Sequence, residues 1–329
     1  MRYRRLGKTD LQISVVAMGC WAIGDARFWG AQDERQSLAT LHAALESGIN
    51  FFDSAETYGS GDSEKLIGKA FAGMRDKVVL GSKAAVDHLA PSALKLACEC
   101  SLKRLRTDYI DVYSIHWPNR NVPIQETLKA LEDLKHEGKI RMIGCCNFGQ
   151  RDLTELLQYG RVEVNQLPYS LLWRAIEFEI LPICVRNQVS VSCYSPLLEG
   201  LLTGKFESAE QVPVERARTR HFSSSRKLAR HVEPGLEAHT FETVRRIRDL
   251  CKRAGVPMAQ AALAWLLKQD GVTGVIVGAR SPEQILSNAE GASLELPDAL
   301  MTALSEVTGP LKSKLGAKAD PWQSESRIR

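Results

Sequence analysis

Three apolar segments of the chain each end in an ionisable residue, and a tyrosine lies shortly after the first of them. Asp53, Lys83 and His116 close these segments, and Tyr58 stands in the loop that follows Asp53. A phenol with its ordinary pKa of about 10 is a poor acid–base catalyst at neutral pH. A neighbouring Lys83 would lower that pKa, and Asp53 would keep the lysine charged and oriented. Neutral His116 could donate a hydrogen bond to a substrate oxygen and place a carbonyl carbon for attack. Such a set protonates an oxygen and contains no strong nucleophile, so the electrons must come from a cofactor.

The same residue types also occur for structural reasons. A lone aspartate or lysine at a strand end is often a cap or a surface pair, a lone histidine is often a satisfied core residue, and a tyrosine before glycine often anchors a loop. In a β/α barrel, however, reactive groups lie at the carboxyl ends of the strands and in the loops that follow them. The presence of all four residues at successive strand ends therefore favours a catalytic site.

The segments that carry these residues belong to a regular alternation of short apolar runs and amphipathic helical stretches. Eight runs have the length and apolar character of strands buried on both faces: Val16–Cys20, Asn50–Asp53, Val78–Lys83, Ile110–His116, Ile140–Cys145, Val162–Gln166, Ser190–Tyr194 and Gly274–Val277. Helices are most clearly predicted over Gln36–Ser47, Pro91–Leu105 and Ile124–Glu137. This alternation implies parallel pairing with right-handed crossovers. Eight strands are the number that a closed (β/α)8 TIM barrel needs, although a doubly wound sheet shows the same alternation.

Three segments fall outside the repeat. Residues 2–15 predict a β-hairpin that could plug one end of the barrel, and residues 297–312 predict an extra C-terminal helix followed by a loose polar tail. Residues 205–239 form a long insertion rich in arginine, serine and proline. The insertion is either a solvated mobile loop or a lid that closes over a bound cofactor. With no linker and no further repeat, we expect one domain over residues 1–329.

The composition is that of an ordinary globular protein. The chain has 329 residues, 44% of them hydrophobic and 25% charged, with a net charge of +4. That charge is too small to favour nucleic acid or an anionic membrane as a partner, and no apolar run approaches the roughly 18 residues that span a bilayer. No apolar stretch of the kind a signal peptide needs follows the basic start, so we expect a cytoplasmic protein. The sequence does not set the oligomeric state, and a monomer is the default.

The cysteines argue against a metal site. The eight cysteines include no Cys-x-x-Cys pair, and most lie in apolar runs. In a reducing compartment such residues act as small hydrophobic side chains. We therefore expect free thiols and no bound metal.

The residues around Tyr58 resemble a known family signature. The segment Asp53–Gly59 (Asp-Ser-Ala-Glu-Thr-Tyr-Gly) is similar to the signature around the catalytic tyrosine of the aldo-keto reductase superfamily, and Lys83 and His116 stand where that family has its lysine and histidine. The likeness extends from Gly19 to Ser281 and is strongest to bacterial oxidoreductases of the general-stress and inositol-operon type, and more distant to potassium-channel β subunits. The resemblance implies that Asp53, Tyr58, Lys83 and His116 are a catalytic tetrad.

The resemblance also implies a cofactor site. Asn147 and Gln166 would bind the nicotinamide carboxamide, Tyr194 would stack on the nicotinamide ring, and Arg280 would meet the 2′-phosphate of NADPH. The full implied cofactor set is Gly19, Cys20, Trp21, Asp53, Asn147, Gln166, Tyr194, Ser195, Pro196, Leu197, Gly200, Lys205, Gly278, Ala279, Arg280, Gln284 and Asn288. Because a guanidinium suits phosphate recognition, Arg280 favours NADPH (or NADP+) over NADH.

Two features of the sequence around this site leave alternatives open. The family commonly has serine before Asn147, where this chain has Cys146, and a thiol is a weaker hydrogen-bond partner. The cysteine is either tolerated variation or a thiol near the nicotinamide that makes activity sensitive to oxidation. Trp21, Trp29 and Trp117 lie in loops after strands and either wall a substrate pocket, with Tyr58 and His116, or pack structurally.

These observations predict an NADPH-dependent reductase that converts aldehyde or ketone carbonyls to alcohols, with Tyr58 as general acid. The hydride transfer is reversible, so oxidation of a sugar or polyol with NADP+ is an alternative. A slow cofactor-binding regulatory subunit is a second one, against which the intact tetrad argues. A lyase or isomerase that uses Lys83 as a Schiff base is a third, but a lysine held by Asp53 is the wrong kind.

Overall fold

Eight parallel strands close into a barrel in the computed structural model of the chain, which describes residues 1–329. The strands are β1 Tyr3–Arg5, β2 Gln12–Ser14, β3 Val16–Gly19, β4 Phe51–Asp53, β5 Val79–Ala84, β6 Ile110–Ile115, β7 Ile140–Cys146, β8 Val164–Pro168, β9 Ser190–Tyr194 and β10 Val272–Gly278. Strands β3 to β9 follow one another around the barrel, and β10 pairs with both β9 and β3. That closure excludes the doubly wound sheet and confirms the predicted (β/α)8 barrel.

Helices cover the outside of the barrel. They are α1 Trp21–Gly24, α2 Ala26–Trp29, α3 Glu34–Glu46, α4 Asp62–Ala70, α5 Pro91–Leu105, α6 Ile124–His136, α7 Gln150–Tyr159, α8 Ile180–Arg186, α9 Glu237–Ala254, α10 Met258–Leu267, α11 Pro282–Glu290 and α12 Asp298–Leu315. The three helices predicted most clearly are present within two residues of their expected ends. None of the helices combines the length and the apolar character that a crossing of a membrane requires.

The N-terminal hairpin closes the bottom of the barrel, as predicted. Strands β1 and β2 pair antiparallel, and Leu6 and Ile13 are fully buried. They pack with side chains from the barrel strands, among them Phe51 and Val164. The amide of Gly7 donates to Ser190 Oγ at 2.8 Å, which ties the turn to β9. The open end of the barrel is therefore the opposite one, where the strands have their carboxyl ends.

The insertion and the end of the chain pack against each other. In the insertion, Ala217, His221 and Phe222 are buried. At the other end of the chain, Asp320 and Ile328 are buried, so the expectation of a loose tail is wrong. The polar end of the chain is held by the buried carboxylate of Asp320 and by apolar contacts such as those of Ile328. Composition alone does not reveal either.

Candidate active site

Asp53, Lys83 and Tyr58 meet at the open end of the barrel. Asp53 ends β4 and Lys83 lies in β5, and adjacent parallel strands bring their carboxyl ends side by side. Lys83 Nζ donates to Asp53 Oδ2 at 2.7 Å and to the Ser54 carbonyl oxygen at 2.6 Å, and lies 3.4 Å from the Tyr58 hydroxyl. Lys83 and Asp53 are only 2% and 3% exposed, so the pair is shielded from water. The lysine is thereby fixed with one side toward the phenol.

Tyr58 is seated by the glycine that follows it. Gly59 has a φ of +57°, and a Cβ at this position would lie 1.8 Å from the Gly24 carbonyl oxygen. Only glycine allows this close approach of the loop to α1. The Tyr58 ring stacks against Trp21 at 5.9 Å between ring centroids and meets the His116 ring edge-on at 5.7 Å. The phenol is therefore held between an indole and an imidazole.

Burial sets the protonation states of Tyr58 and His116. It raises the pKa of Tyr58 to about 12, although the charge of Lys83 acts in the opposite direction. The sequence predicted the effect of Lys83 but not the larger effect of burial. Burial, with the Lys83 charge, lowers the pKa of His116 to about 3. At neutral pH the site thus holds a protonated phenol and a neutral imidazole.

Lys83 stays charged in this environment. Burial lowers the pKa of Lys83. The charges of Asp53 and Tyr58 and the hydrogen bond to Asp53 together raise it by more, so the pKa of Lys83 lies above its ordinary value. A Schiff-base lysine must lose its proton to attack a carbonyl. The structure therefore argues against the lyase or isomerase alternative.

Side chains from β7, β8 and β9 continue the site. Asn147 has a φ of +66°, and its side chain donates to the His116 carbonyl oxygen at 2.9 Å and accepts from the Tyr194 hydroxyl at 2.8 Å. Gln166 Nε2 donates to Asp53 Oδ1 at 2.7 Å. The amides of Asn147 and Gln166 each keep one N–H without a partner in the protein, which suits the recognition of another amide.

Cys146 is a buried, protonated thiol. Its Sγ donates to Gln166 Oε1 at 3.5 Å, a long and weak contact. Burial raises the pKa of Cys146 to about 12, although the Lys83 charge lowers it. Oxidation requires the thiolate. The geometry therefore favours tolerated variation over an oxidation-sensitive thiol.

One cleft of about 920 Å³ runs across the open end of the barrel and joins nearly all the predicted residues. The predicted residues that line it are Gly19, Trp21, Trp29, Asp53, Tyr58, Lys83, His116, Trp117, Asn147, Gln166, Tyr194, Ser195, Pro196, Leu197, Gly200, Lys205, Gly278, Ala279, Arg280, Gln284 and Asn288. Cys20 is the exception. It is fully buried, and its thiol donates to the Met18 carbonyl oxygen, so it faces away from the cleft.

Four cations, Lys205, Arg216, Arg218 and Arg230, line the cleft and fit a ligand with phosphates. None of them forms a salt bridge, although the carboxylate of Glu199 also lines the cleft. Burial and the charge of Arg216 lower the pKa of Lys205, a sign that these cations repel one another. Arg218 Nε is buried without a hydrogen-bond partner. A bound anion would relieve both conditions, which favours the lid interpretation of the insertion.

Arg280 is held by the loop that precedes α3. Its guanidinium donates to the carbonyl oxygens of Trp29, Gly30 and Ala31 and to the Gln32 side chain, and the Gln32 amide donates back to the Arg280 carbonyl oxygen at 2.8 Å. Ser281 caps α11 immediately after it. These contacts between Arg280 and residues 29–32 are here called the Arg280 latch. The sequence did not indicate them, because they join residues some 250 positions apart.

The cleft also includes two residues that the sequence did not indicate. Trp322 and Arg327, from the end of the chain, line the cleft beside the predicted Trp117. The Arg327 guanidinium lies 3.8 Å from the Trp117 ring centroid, and Trp322 meets Trp117 edge-on at 6.3 Å. Trp117 therefore has both a packing role and a position on the wall of the cleft. The tryptophan within a polar tail was the one signal that could have drawn attention to this segment.

Comparison with known proteins settles the family. The profile described as "Aldo/keto reductase family" matches residues 15–308, which is most of the chain. The chain belongs to the aldo-keto reductase family. The oxidoreductase chemistry inferred from the sequence is that of this family. Separately, no cluster of three or more histidine, cysteine or acidic side chains is placed to hold a metal ion.

This aldo-keto reductase is similar over nearly its whole length to characterised relatives. It is 34% identical to an NADH-specific methylglyoxal reductase of Escherichia coli, across 93% of this chain and 98% of the relative. It is also 34% identical to aldo-keto reductase YhdN of Bacillus subtilis, across 94% and 97% of the two chains.

Solved structures show the same architecture. A glycerol dehydrogenase from Gluconobacter oxydans superposes with a TM-score of 0.81 at 29% identity, across 94% of this chain and 95% of the other. An aldo-keto reductase from Klebsiella pneumoniae in complex with NADPH superposes with a TM-score of 0.75 at 29% identity, across 93% and 95%.

Proposed function

We propose that this aldo-keto reductase reduces the carbonyl group of an aldehyde or ketone to an alcohol with NADPH. The observation that carries the proposal is the buried Lys83, bound to Asp53 at 2.7 Å and facing a protonated Tyr58 beside a neutral His116. NADPH would supply the hydride. The side chains of the site would position the carbonyl group and supply the proton for its oxygen.

The chemistry of the side chains follows from their protonation states. Neutral His116 would donate a hydrogen bond to the carbonyl oxygen and orient it toward the Tyr58 hydroxyl. Tyr58 would give its proton to that oxygen as negative charge develops there. The Lys83 ammonium would stabilise the resulting phenolate, and Asp53 would keep Lys83 in place. Tyr194 would support the nicotinamide ring, while Asn147 and Gln166 would hold its carboxamide and the four cations its phosphates.

The relatives support a carbonyl substrate and make the choice of cofactor a question for experiment. The Escherichia coli relative is named as an NADH-specific methylglyoxal reductase, whereas the Klebsiella pneumoniae structure contains NADPH. We propose NADPH because four cations and Arg280 line the cleft. Eight free cysteines are consistent with a reducing, cytoplasmic location.

Titration of the purified protein with NADPH and with NADH, followed by cofactor fluorescence, tests the cofactor assignment. Small aldehydes and ketones are then added, and oxidation of the cofactor is followed by absorbance. Binding of NADPH with turnover of a carbonyl compound supports the proposal. Absence of binding by either cofactor would overturn it.

The similarity to a glycerol dehydrogenase favours one second candidate, oxidation of a sugar or polyol with NADP+. The same tetrad serves both directions, with Tyr58 accepting rather than donating the proton. Rates measured in both directions with a matched aldehyde and alcohol decide which is faster at neutral pH.

The rate of reduction should depend little on pH. Reduction needs neutral His116, which is lost only as pH falls toward about 3, and protonated Tyr58, which is lost only as pH rises toward about 12. We expect kcat/KM for the carbonyl substrate, at saturating cofactor, to vary less than about twofold between roughly pH 5 and pH 9. Oxidation needs the Tyr58 phenolate and should therefore rise with pH, by up to about tenfold per unit. A bell-shaped profile for reduction centred near neutral pH would contradict these protonation states.

Removal of the Arg280 guanidinium should weaken the binding of NADPH selectively. Hydrogen bonds to a charged group contribute about 1.5–3 kcal/mol, so Arg280→Ala should raise the Kd of NADPH about 10- to 100-fold and that of NADH less than about threefold. Gln32→Ala is the matched control, since it removes the Gln32 side-chain contacts of the Arg280 latch but keeps the guanidinium and its bonds to the backbone carbonyl oxygens. It should retain the preference for NADPH. Equal losses for both cofactors in Arg280→Ala would show that Arg280 only braces the loop.

A further inference from the structure

Residues 316–329, here called the C-terminal segment, are organised around one buried carboxylate. Asp320 is fully buried, and its Oδ2 accepts from Arg327 Nε at 2.7 Å and its Oδ1 from Arg327 Nη2 at 3.2 Å. Asp320 Oδ1 also accepts from the backbone amide of Trp322 at 3.0 Å. One carboxylate thus fixes the positions of both Trp322 and Arg327.

The body of the protein anchors the same segment from two sides. The backbone amide of Arg220, in the insertion, donates to the Pro321 carbonyl oxygen at 2.7 Å. Arg120 Nη2 donates to the Arg327 carbonyl oxygen at 2.9 Å. Because these two hydrogen bonds hold the segment on both sides of Trp322, its position in the cleft does not depend on a ligand.

Trp322 and Arg327 lie beside the reacting groups. Trp322 stacks on Tyr194 with ring centroids 5.9 Å apart and an angle of 3° between the planes. It also meets Trp117, the residue after His116. The Arg327 guanidinium lies over the Trp117 ring, 3.8 Å from its centroid. A carbonyl compound whose oxygen is at Tyr58 and His116 would therefore extend toward these two side chains.

Both side chains have hydrogen-bond donors that the protein does not use. Trp322 Nε1 is buried and has no partner. Arg327 uses Nε and Nη2 for Asp320, and its Nη1 makes no hydrogen bond within the protein. A buried donor without an acceptor is unfavourable, and because Trp322 lines the cleft, a ligand bound there could supply the acceptor.

We propose that Trp322 and Arg327 determine substrate specificity by binding a carboxylate on the carbonyl substrate. The proposal rests on the proposed reductase function and names its substrate class, an oxo acid. A carboxylate has two oxygens for the two donors, and a guanidinium binds it better than it binds a neutral hydroxyl. Among the cations that line the cleft, Arg327 is the one beside Trp117, the residue after His116, whereas Arg216 lies over Trp29 and Arg218 over Phe28 and Trp21. The ion pair of Arg327 with Asp320 leaves its Nη1 for the substrate.

The pairing of Arg327 with Asp320 has a definite role in this proposal. It neutralises the buried carboxylate, and it orients the guanidinium so that Nη1 stays free. Asp320 is therefore a positioning residue, whereas Trp322 and Arg327 would contact the substrate. If the ion pair served structure alone, changes at Arg327 would affect charged and neutral substrates equally.

Oxo acids compared with their methyl esters test the proposal. The panel consists of aldehydes with a terminal carboxylate, from glyoxylate to 5-oxopentanoate, each beside its methyl ester, with NADPH saturating. For at least one pair, the wild type should reduce the acid with a kcat/KM about tenfold or more above that of the ester. The ester keeps the carbonyl and loses only the charge.

Two conservative variants test whether Arg327 and Trp322 cause this preference for the acid over its ester. Arg327→Lys keeps a cation for Asp320 but removes Nη1, and Trp322→Phe keeps an aromatic ring but removes the N–H. In each, the acid-to-ester ratio should fall toward one, because kcat/KM for the acid falls by more than kcat/KM for the ester. An acid-to-ester ratio at or below one for every pair in the wild type overturns the proposal, as does a ratio that survives in both variants. Binding of NADPH without turnover of any acid or ester would instead overturn the proposed function, and this proposal with it.

Discussion

Tyr58→Phe should lower kcat for carbonyl reduction by about a thousandfold while the Kd of NADPH changes less than about twofold. A positioned general acid contributes roughly 10²–10⁴ to a rate, and burial keeps this phenol protonated with a pKa of about 12. Phenylalanine retains the ring that stacks on Trp21 at 5.9 Å but removes the proton donor. Steady-state kinetics combined with cofactor fluorescence measure the two quantities separately.

Tyr113→Phe is the matched control for this change. Tyr113 is a fully buried tyrosine in β6, and its hydroxyl has no hydrogen-bond partner. It lies outside the cleft, so its loss should leave kcat within about twofold. A Tyr58→Phe variant that retains more than about a tenth of the wild-type kcat would show that another group supplies the proton.

The placement of Asp53, Lys83 and His116 at one end of the barrel could be predicted from the sequence, because barrel geometry brings the ends of successive strands together. Asp53 and Lys83 end adjacent apolar segments, and parallel strands place such ends side by side whatever the intervening helix contains. The same rule brought Asn147 and Gln166 to the cleft, since they follow or lie in neighbouring strands β7 and β8. Closure of the barrel, by contrast, required the pairing of β10 with β3, which no local pattern encodes.

The remaining features depend on contacts between distant parts of the chain. The C-terminal segment has a polar composition, and Asp320, which holds it together, is buried because distant parts of the chain pack around it. Cys20 stands beside cofactor-lining residues in the sequence, yet its side chain faces the core. The pKa of Tyr58 is governed by burial, a property of the whole cleft that the neighbouring charges alone did not reveal.

Asp53→Asn should destabilise the protein by about 3–5 kcal/mol and remove most of its activity. The substitution leaves the Lys83 ammonium buried without a counter-charge, and removing one partner of a buried ion pair has that order of cost. Burial would then lower the pKa of Lys83, and its stabilisation of a Tyr58 phenolate would be lost. Urea unfolding followed by tryptophan fluorescence measures the change in the free energy of unfolding.

The double variant Asp53→Asn/Lys83→Met separates stability from chemistry. Methionine fills much of the space of the lysine chain and carries no charge, so the double variant should regain most of the stability that Asp53→Asn loses. It should not regain activity, because no cation then faces Tyr58. Unchanged stability in Asp53→Asn would mean that two other hydrogen bonds suffice to keep Lys83 and residue 53 in place. These are the bond from Lys83 to the Ser54 carbonyl oxygen and the bond from Gln166 to Oδ1 of residue 53. Recovery of activity in the double variant would mean that Tyr58 works without the lysine, and the assigned role of Lys83 would be wrong.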